Sequence, residues 1–286
     1  MRLALRWIGY LVGALLLLAL LGAAWLWIAS WHKLSARTPG KPERLVAPTP
    51  AQLADGPRQL RVLGCVSCHG EGLRGRTMFD EPKVARIHAP NLTLVAADAT
   101  DQQLARAIRQ GIGTDGRALF VMPSAQYSRL DDGQVTSLIA AIRALPKGGT
   151  PTRPIEIGPL GRVGIATGEF KSQPELVDEY AAKWPVDLGP RHRAGRMLAA
   201  TNCSECHGPA LQGQELASGE TPPNLTIVGA YDLPAFKRLM RTGIAPGNRK
   251  LGLMTDIARN DLSHLTDDEI GRLHAYLVAR AQKVPN

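Results

Sequence analysis

The five-residue run Cys-x-x-Cys-His occurs twice in this chain and constrains its fold more than any other feature. The copies are residues 65–69 and 203–207, and they contain all four cysteines. Two thiols at this spacing can both reach the vinyl groups of a porphyrin, and the histidine that follows can bind the iron axially. This is the attachment signature of haem c. The sequence predicts two covalently attached haem c groups, held by Cys65, Cys68, Cys203 and Cys206, with His69 and His207 as iron ligands.

Three other readings of the cysteine pairs fit the sequence less well. In a zinc site the second pair usually follows the first within about 15–20 residues, whereas more than 130 residues separate these pairs. A thioredoxin-like redox pair needs a βαβ context, but the flanking segments have helix and loop patterns. Structural disulfides would leave both adjacent histidines unexplained.

The composition agrees with a haem protein and gives no support for nucleic-acid binding. Only 5% of the 286 residues are aromatic, so a buried porphyrin would supply apolar bulk that two small cores otherwise lack. The net charge of +9 comes from scattered basic residues without a nucleic-acid motif. An acidic protein partner or an anionic membrane surface accounts for this charge more simply.

The N-terminal segment is predicted to cross a membrane. Residues 7–31 contain no charged side chain and are long enough to span about 30 Å of hydrocarbon. Trp25, Trp27 and Trp31 lie at the far end, as an interfacial aromatic belt would. A cleaved signal peptide is the alternative, but the apolar run continues past its candidate cleavage site, residues 22–24. Because haem c is attached outside the cytoplasm, we expect a single-pass inner-membrane protein with a cytoplasmic N-terminus and periplasmic haem domains.

The rest of the chain divides into two similar domains. Residues 1–50 form the anchor and a Pro-rich spacer that would lift the first domain off the membrane. Residues 51–149 and 187–286 are the two haem-bearing domains, and residues 150–186 are a connector that wraps along one or both. Capping boxes predict helix starts at Thr100 and Thr266, and the run that begins at Asp131 is predicted to open the last helix of the first copy. We expect residues 70–89 to be loop, and no convincing strand.

An internal repeat identifies the remaining iron ligands. Arg109, Gly111 and Met122 recur 132 residues later as Arg241, Gly243 and Met254. We predict that Met122 and Met254 each lie in a loop before the last helix of a copy and bind the iron, because Met/His ligation is a common axial pair. A methionine is more often a core gap-filler, but only these two recur in register. His88, His264 and His274 do not recur.

Two further recurring pairs are candidate haem contacts. Pro90 and Pro223 begin the repeated Pro-Asn-Leu-Thr run, and each carbonyl is predicted to accept a hydrogen bond from Nδ1 of the iron-binding histidine. A simple turn is the alternative role for these prolines. Arg109 and Arg241 are candidate partners of the haem propionates, although most nearby basic residues would simply face solvent.

These motifs resemble those of class I c-type cytochromes, arranged as in membrane-anchored dihaem cytochromes. The similarity covers residues 55–146 and 188–281, through CVSCHG, APNLT, MPS, CSECHG, PNLT and LTDDEIGRLHAYL. The cytochrome c subunits of periplasmic alcohol- and gluconate-type dehydrogenases are most similar, although these commonly carry three haems and a tether at the other end. The resemblance implies an all-α fold of two tandem class I cytochrome c domains preceded by one transmembrane helix.

The resulting functional prediction is an electron carrier without substrate chemistry of its own. Its donor would be a periplasmic dehydrogenase or a quinol-oxidising complex, and its acceptor a terminal oxidase or a soluble cytochrome. The alternative is a dihaem enzyme of the peroxidase or thiosulfate-oxidising type, which needs one iron with an open or displaceable ligand.

Overall fold

The computed structural model describes residues 2–216 and 219–284, and most of these residues are helical. The α-helices are α1 Arg2–Ser35, α2 Pro50–Val62, α3 Cys65–His69, α4 Leu92–Asp98, α5 Asp101–Gln110, α6 Ser124–Tyr127, α7 Asp132–Arg143, α8 Pro159–Thr167, α9 Gln173–Ala181, α10 Arg193–Asn202, α11 Ser204–His207, α12 Leu233–Thr242, α13 Leu253–Asn260 and α14 Asp267–Lys283. Short 3-10 helices cover Glu71–Leu73, Pro190–His192, Leu225–Ala230, Pro246–Asn248 and Leu262–His264.

Five short strands interrupt the helices in the part of the chain that the structure describes, so the expectation of no convincing strand is wrong. They are β1 Arg76–Glu81, β2 Ala85–Ala89, β3 Glu156–Ile157, β4 Ile244–Ala245 and β5 Arg249–Lys250. The antiparallel β1–β2 hairpin occupies the segment predicted to be loop, and β3 from the connector pairs with β2. All six residues of β1 are exposed, so this strand lacks the alternating apolar pattern by which strands are recognised in a sequence.

The predicted helix starts are confirmed by their side-chain caps. Thr100, Asp131 and Thr266 each cap a helix through a capping box, in which the side chain three residues later returns the bond. Helices α5 and α12 end at Gly111 and Gly243, whose φ angles of +68° and +69° lie in the left-handed region that favours glycine. These ends are local features, which is why the sequence pattern predicts them well.

The two repeated segments build two hydrophobic cores. In the first core, α7 packs on α2, α4 and α5 and buries the stripe Val135, Leu138, Ile139 and Ile142. In the second core, α14 packs on α10 and α12 and buries the stripe Ile270, Leu273, Tyr276 and Leu277. The apolar faces predicted for the last helix of each copy are therefore the faces that are buried.

The two cores contact each other through corresponding segments. Helix α6, which follows Met122, packs on α10 and α11 of the second core. The 3-10 helix Leu262–His264, which follows the Met254 segment, packs on α2 of the first core, and Val62 of α2 is buried among second-core residues. Each core thus places the segment after its recurring methionine against the other core, which is the reciprocal pattern of a two-fold contact.

The connector lies along both cores. Helix α9 packs on α5 and α6 of the first core, where the backbone N–H of Gln173 donates to Leu119 O at 2.7 Å. Further along, Arg129 of the first core stacks on the Trp184 ring at 3.5 Å from its centroid. The Tyr276 hydroxyl of α14 donates to Val186 O at 2.9 Å. This segment therefore joins the two cores rather than separating them.

The Pro-rich segment after α1 lies against the first core, and its role as a spacer between the membrane and the first domain stays a prediction. Thr38 N donates to Gly116 O at 2.9 Å, and Lys41 N donates to the Gln110 side chain at 2.8 Å. The Glu43 side chain is buried against Arg109, and Leu45 packs on the first core. The prolines keep this segment extended, but its hydrogen bonds fix it along α5.

Arg109 and Arg241 have the same structural role in the two copies. Arg109 binds Asp132, the first residue of α7, and also Leu130 O; Arg241 binds Asp267, the first residue of α14, and also Leu265 O. Arg109 joins α5 to the start of α7, and Arg241 joins α12 to the start of α14. These contacts explain the recurrence without a haem propionate, so a propionate role for either arginine remains a prediction.

We expect Arg109→Ala to destabilise the protein by about 3 kcal/mol and Arg241→Ala by only about 1 kcal/mol. The Arg109 side chain is 12% exposed and its partner Glu43 is 5% exposed, so the substitution leaves a buried carboxylate without its cation. Arg241 and Asp267 are 32% and 67% exposed. Urea unfolding of the full chain in detergent, followed by circular dichroism, measures both losses, and equal losses would contradict this account.

Candidate functional site

The two motif histidines are held in the same way. His69 ends α3 and His207 ends α11, and both side chains are buried. Their Nδ1 atoms each lie 2.8 Å from a proline carbonyl oxygen, that of Pro90 for His69 and that of Pro223 for His207. Because a carbonyl oxygen only accepts, Nδ1 must carry the proton in both rings. The predicted proline contact is thus present in both copies, while its effect on an iron stays a prediction.

This bond leaves Nε2 as the lone-pair nitrogen of each ring. Burial lowers the pKa of His69 and of His207, and the hydrogen bonds to Pro90 and Pro223 oppose that effect. The lowered pKa favours the neutral imidazole, which is the form that binds metals. Neither Nε2 has a hydrogen-bond partner among the residues that the structure describes. Both rings are therefore prepared to bind a metal through Nε2.

The residue after each of these prolines is a functional position that the predictions missed. Asn91 and Asn224 accept hydrogen bonds from the backbone N–H groups of Thr93 and Thr226, each at 3.1 Å, and thereby shape the turn that presents the proline carbonyl. Asn91 also donates to Gly148 O at 2.9 Å, which ties this turn to the end of the first copy. The repeated Pro-Asn-Leu-Thr run contained the signal, since the asparagine recurs with the proline.

The structure places a cysteine and the recurring methionine of each copy against one core. Cys65 and Met122 pack on the first core, and Cys203 and Met254 pack on the second. All four cysteines are half-buried and free, and burial raises the pKa of Cys65 and of Cys203 to about 12. A flat apolar group attached to these thiols would lie against the same core as the methionine of that copy.

The two methionines differ in local structure. Met122 lies in the loop before α6, as predicted, whereas Met254 is the second residue of α13. Sequence spacing does not distinguish these cases, because α13 corresponds to α6 of the first copy but begins three residues earlier by the offset of 132 and so includes its methionine. As iron ligands, both methionines remain predictions.

Arg280 tests whether the residues of the second copy fit a haem. Its side chain is only 1% exposed, and it donates to Asn224 Oδ1 at 3.0 Å and to Ala210 O at 2.9 Å. Among residues 2–216 and 219–284 it forms no ion pair, and its Nε has no hydrogen-bond partner. A buried cation with an unfilled donor fits an acidic group such as a haem propionate. Arg280 has no arginine counterpart in the first copy, so the repeat did not point to it.

Of the three other histidines considered as ligands, His88 and His274 have side-chain partners in the protein. His88 lies 3.0 Å from the Thr77 hydroxyl in the β1–β2 hairpin, and His274 lies 2.8 Å from Tyr231 O. His264 ends the 3-10 helix at the contact between the cores. None of these three occupies corresponding positions in the two copies.

Comparison with known proteins assigns the family. Residues 193–280 match the cytochrome c family, and residues 51–140 match the family of subunit III of cbb3-type cytochrome c oxidases. The chain is a c-type cytochrome. Cytochromes of this kind bind haem c covalently and transfer electrons, and the paired thiols, the buried histidines and Arg280 of this cytochrome fit that group.

Two curated proteins are similar over most of this cytochrome. One is the fructose dehydrogenase cytochrome subunit of Gluconobacter japonicus, which is 26% identical over 250 residues that cover 74% of this chain and 49% of that protein. The other is the gluconate 2-dehydrogenase cytochrome c subunit of Pantoea cypripedii, which is 23% identical over 259 residues that cover 77% of this chain and 57% of that protein. This cytochrome spans about half the length of these relatives.

Proposed function

We propose that this cytochrome is a membrane-anchored dihaem electron carrier with both irons ligated by His and Met. The observation that carries the proposal is the duplicated histidine geometry, in which Nδ1 is bound to a proline carbonyl at 2.8 Å and Nε2 is left available. The recurring methionines pack on the same two cores and supply the sixth ligands. We propose residues 51–149 as the first cytochrome c domain and residues 187–286 as the second.

The protein residues hold the haems and limit the access of solvent to them. When bound, each haem iron takes up and releases one electron. Cys65, Cys68, Cys203 and Cys206 would attach the porphyrins, and His69 and His207, with Met122 and Met254, would bind the irons. Irons ligated by both side chains would have no position for a substrate, so the chain would be a carrier rather than an enzyme.

Helix α1 anchors this carrier in the inner membrane. Its exposed apolar segment Leu3–Ser35 is long enough to cross a bilayer. Near its end, Arg162 stacks over the Trp27 ring at 3.8 Å and donates to Ser30 Oγ at 3.1 Å, while Lys33 donates to Ile165 O at 3.0 Å. A guanidinium in hydrocarbon is costly, so we place the membrane boundary before Trp27. The remaining 20 residues from Trp7 cover about 30 Å as a helix, which matches a hydrocarbon core.

The relatives suggest the electron donor. Both are cytochrome subunits of dehydrogenases that are named for a sugar or a sugar acid. We propose a periplasmic dehydrogenase of this type as the donor, with a quinol-oxidising complex as the other option, and a terminal oxidase or a soluble cytochrome as the acceptor. The orientation that follows has the N-terminus in the cytoplasm and both haem domains in the periplasm.

The test is a spectrum of the detergent-solubilised full chain. A pyridine haemochrome measurement should give two haem c per polypeptide. The oxidised protein should show a Met-to-ferric-iron charge-transfer band with the intensity expected for two haems. The reduced protein should not bind carbon monoxide. One haem per chain would overturn the dihaem proposal. Ready binding of carbon monoxide by one haem would overturn the carrier proposal in favour of a dihaem enzyme with an open site.

A further inference from the structure

The first haem motif receives a side chain from the second core. The Ser67 hydroxyl, which lies between Cys65 and Cys68, donates a hydrogen bond to Asp261 Oδ1. Asp261 is 194 residues away in sequence and only 5% exposed. The carboxylate therefore lies inside the contact between the two cores, against the segment that carries the predicted covalent attachment of the first haem.

Asp261 is held in place by the contact between the cores. It follows the last residue of α13, and its backbone N–H donates to Ile257 O at 2.9 Å. On its other side begins the 3-10 helix Leu262–His264, where Arg58 of the first core donates to His264 O at 2.9 Å. The same guanidinium binds Glu269 with two hydrogen bonds of 2.7 and 2.9 Å. The segment that begins at Asp261 is thus fixed at one end by α13 and at the other by the bridge from α2.

No cation neutralises this carboxylate within the described ranges 2–216 and 219–284. Asp261 forms no ion pair there, and the Ser67 hydroxyl is the side-chain donor that it binds. Burial raises the pKa of Asp261, while the hydrogen bond from Ser67 opposes that rise by stabilising the anion. A buried charge beside the motif acts over a short distance in a medium of low dielectric constant, where Coulomb energies are large.

We propose that Asp261 is a positioning charge that the second core supplies to the first haem, and that it lowers the reduction potential of that haem. A negative charge stabilises the oxidised iron, which carries one more positive charge than the reduced iron. The proposal rests on the dihaem function. It makes the potential of the first haem depend on the contact between the two cores.

Among residues 2–216 and 219–284, the second haem motif receives no side-chain hydrogen bond from the first core. The position of Ser67 is occupied there by Glu205, so the second motif carries a carboxyl group of its own. The Glu205 side chain is half-buried, and it belongs to the same core as its motif. Only the first haem would therefore have its potential set by a residue from the other core, and a change at Asp261 should act on one haem alone.

The test is a potentiometric titration of the haem-loaded full chain in detergent, with Asp261→Asn compared with the parent protein. The midpoint of the first haem is the one that Met122→Ala displaces. We expect Asp261→Asn to raise this midpoint potential by at least 59 mV, which is a tenfold change in the one-electron equilibrium constant. The other midpoint should stay unchanged. Asp256→Asn, which makes the same charge change on the exposed side of α13, should move neither midpoint.

A second variant keeps the proposal testable if Asp261→Asn does not assemble. Ser67→Ala removes the donor that holds the carboxylate beside the motif, and it should raise the same midpoint by a smaller amount. Two unchanged midpoints in a folded Asp261→Asn or Ser67→Ala protein would overturn the proposal, and so would equal shifts of both haems. A chain with fewer than two haems would instead overturn the dihaem function, and haem content is measured first on the same samples.

Discussion

Met122→Ala and Met254→Ala are each expected to lower the reduction potential of one haem by more than about 60 mV, a tenfold change in its one-electron equilibrium. A thioether ligand favours the reduced iron, and Met/His ligation raises the potential relative to sites without it. Each methionine packs on a different core, so each substitution should affect a different haem. Potentiometric titration gives the two midpoints, and the charge-transfer band should fall by half in each variant.

The matched control for these variants is Met240→Ala. Met240 is buried in the second core but does not recur in the first copy. This variant should lose stability, by about 2–5 kcal/mol as is usual when a buried methionine is truncated, while keeping both bands. If Met240→Ala removed a band, or if either proposed ligand variant kept both, the assignment of the sixth ligands would be wrong.

Arg58→Ala is expected to loosen the contact between the two cores and to cost about 2 kcal/mol of stability. Arg58 and Glu269 are 26% and 20% exposed, and the substitution removes a two-bond ion pair together with the bond to His264 O. Arg61→Ala is the matched control, because Arg61 lies one turn further along α2 and pairs with Glu71, which is 77% exposed. Its loss should stay below about 1 kcal/mol. Urea unfolding compares the two, and equal losses would contradict the proposed role of Arg58.

The ion pair between Arg58 and Glu269 also predicts how the stability of the protein depends on pH. Burial acts to raise the pKa of Glu269, but the bonds from Arg58 and Thr266 outweigh it and leave that pKa below the ordinary 4.5. The Arg58 bond likewise lowers the pKa of Asp55 below 3.8. A carboxyl group whose pKa is lowered by folding adds stability above its unfolded pKa, and this is lost as the pH falls through the folded value. The stability difference between the parent and Arg58→Ala should therefore be full near pH 6 and shrink below about pH 4.

Local features of this cytochrome could be predicted from its sequence. The capping boxes at Thr100, Asp131 and Thr266 depend on residues three positions apart, and all three begin helices in the structure. The same signal occurs at Thr49 and Ser172, and both residues also cap helices. The haem motifs and the proline turns could be recognised equally well, because each is a short run that occurs twice.

Contacts between distant segments could not be predicted in this way. The bond from Ser67 to Asp261 joins residues 194 positions apart, and neither residue recurs at the corresponding position of the other copy. The fixed course of the Pro-rich segment depends on α5, through Gln110 and Arg109, rather than on its own composition. Repeat comparison shows what the copies share, so it misses what differs between them, such as Asp261 and Arg280.

The reciprocal contact between the cores also bears on whether the chain can be divided. A cut within residues 150–186 would separate the two repeats in the sequence. In the structure, however, Val62 of the first half packs in the second core, and Asp261 of the second half lies against the first motif. Without Val62, the second core would have an unfilled apolar space. Without the first motif, the buried Asp261 carboxylate would be exposed to water. We therefore expect each half to be less stable alone than in the full chain, because each provides part of the surface on which the other packs.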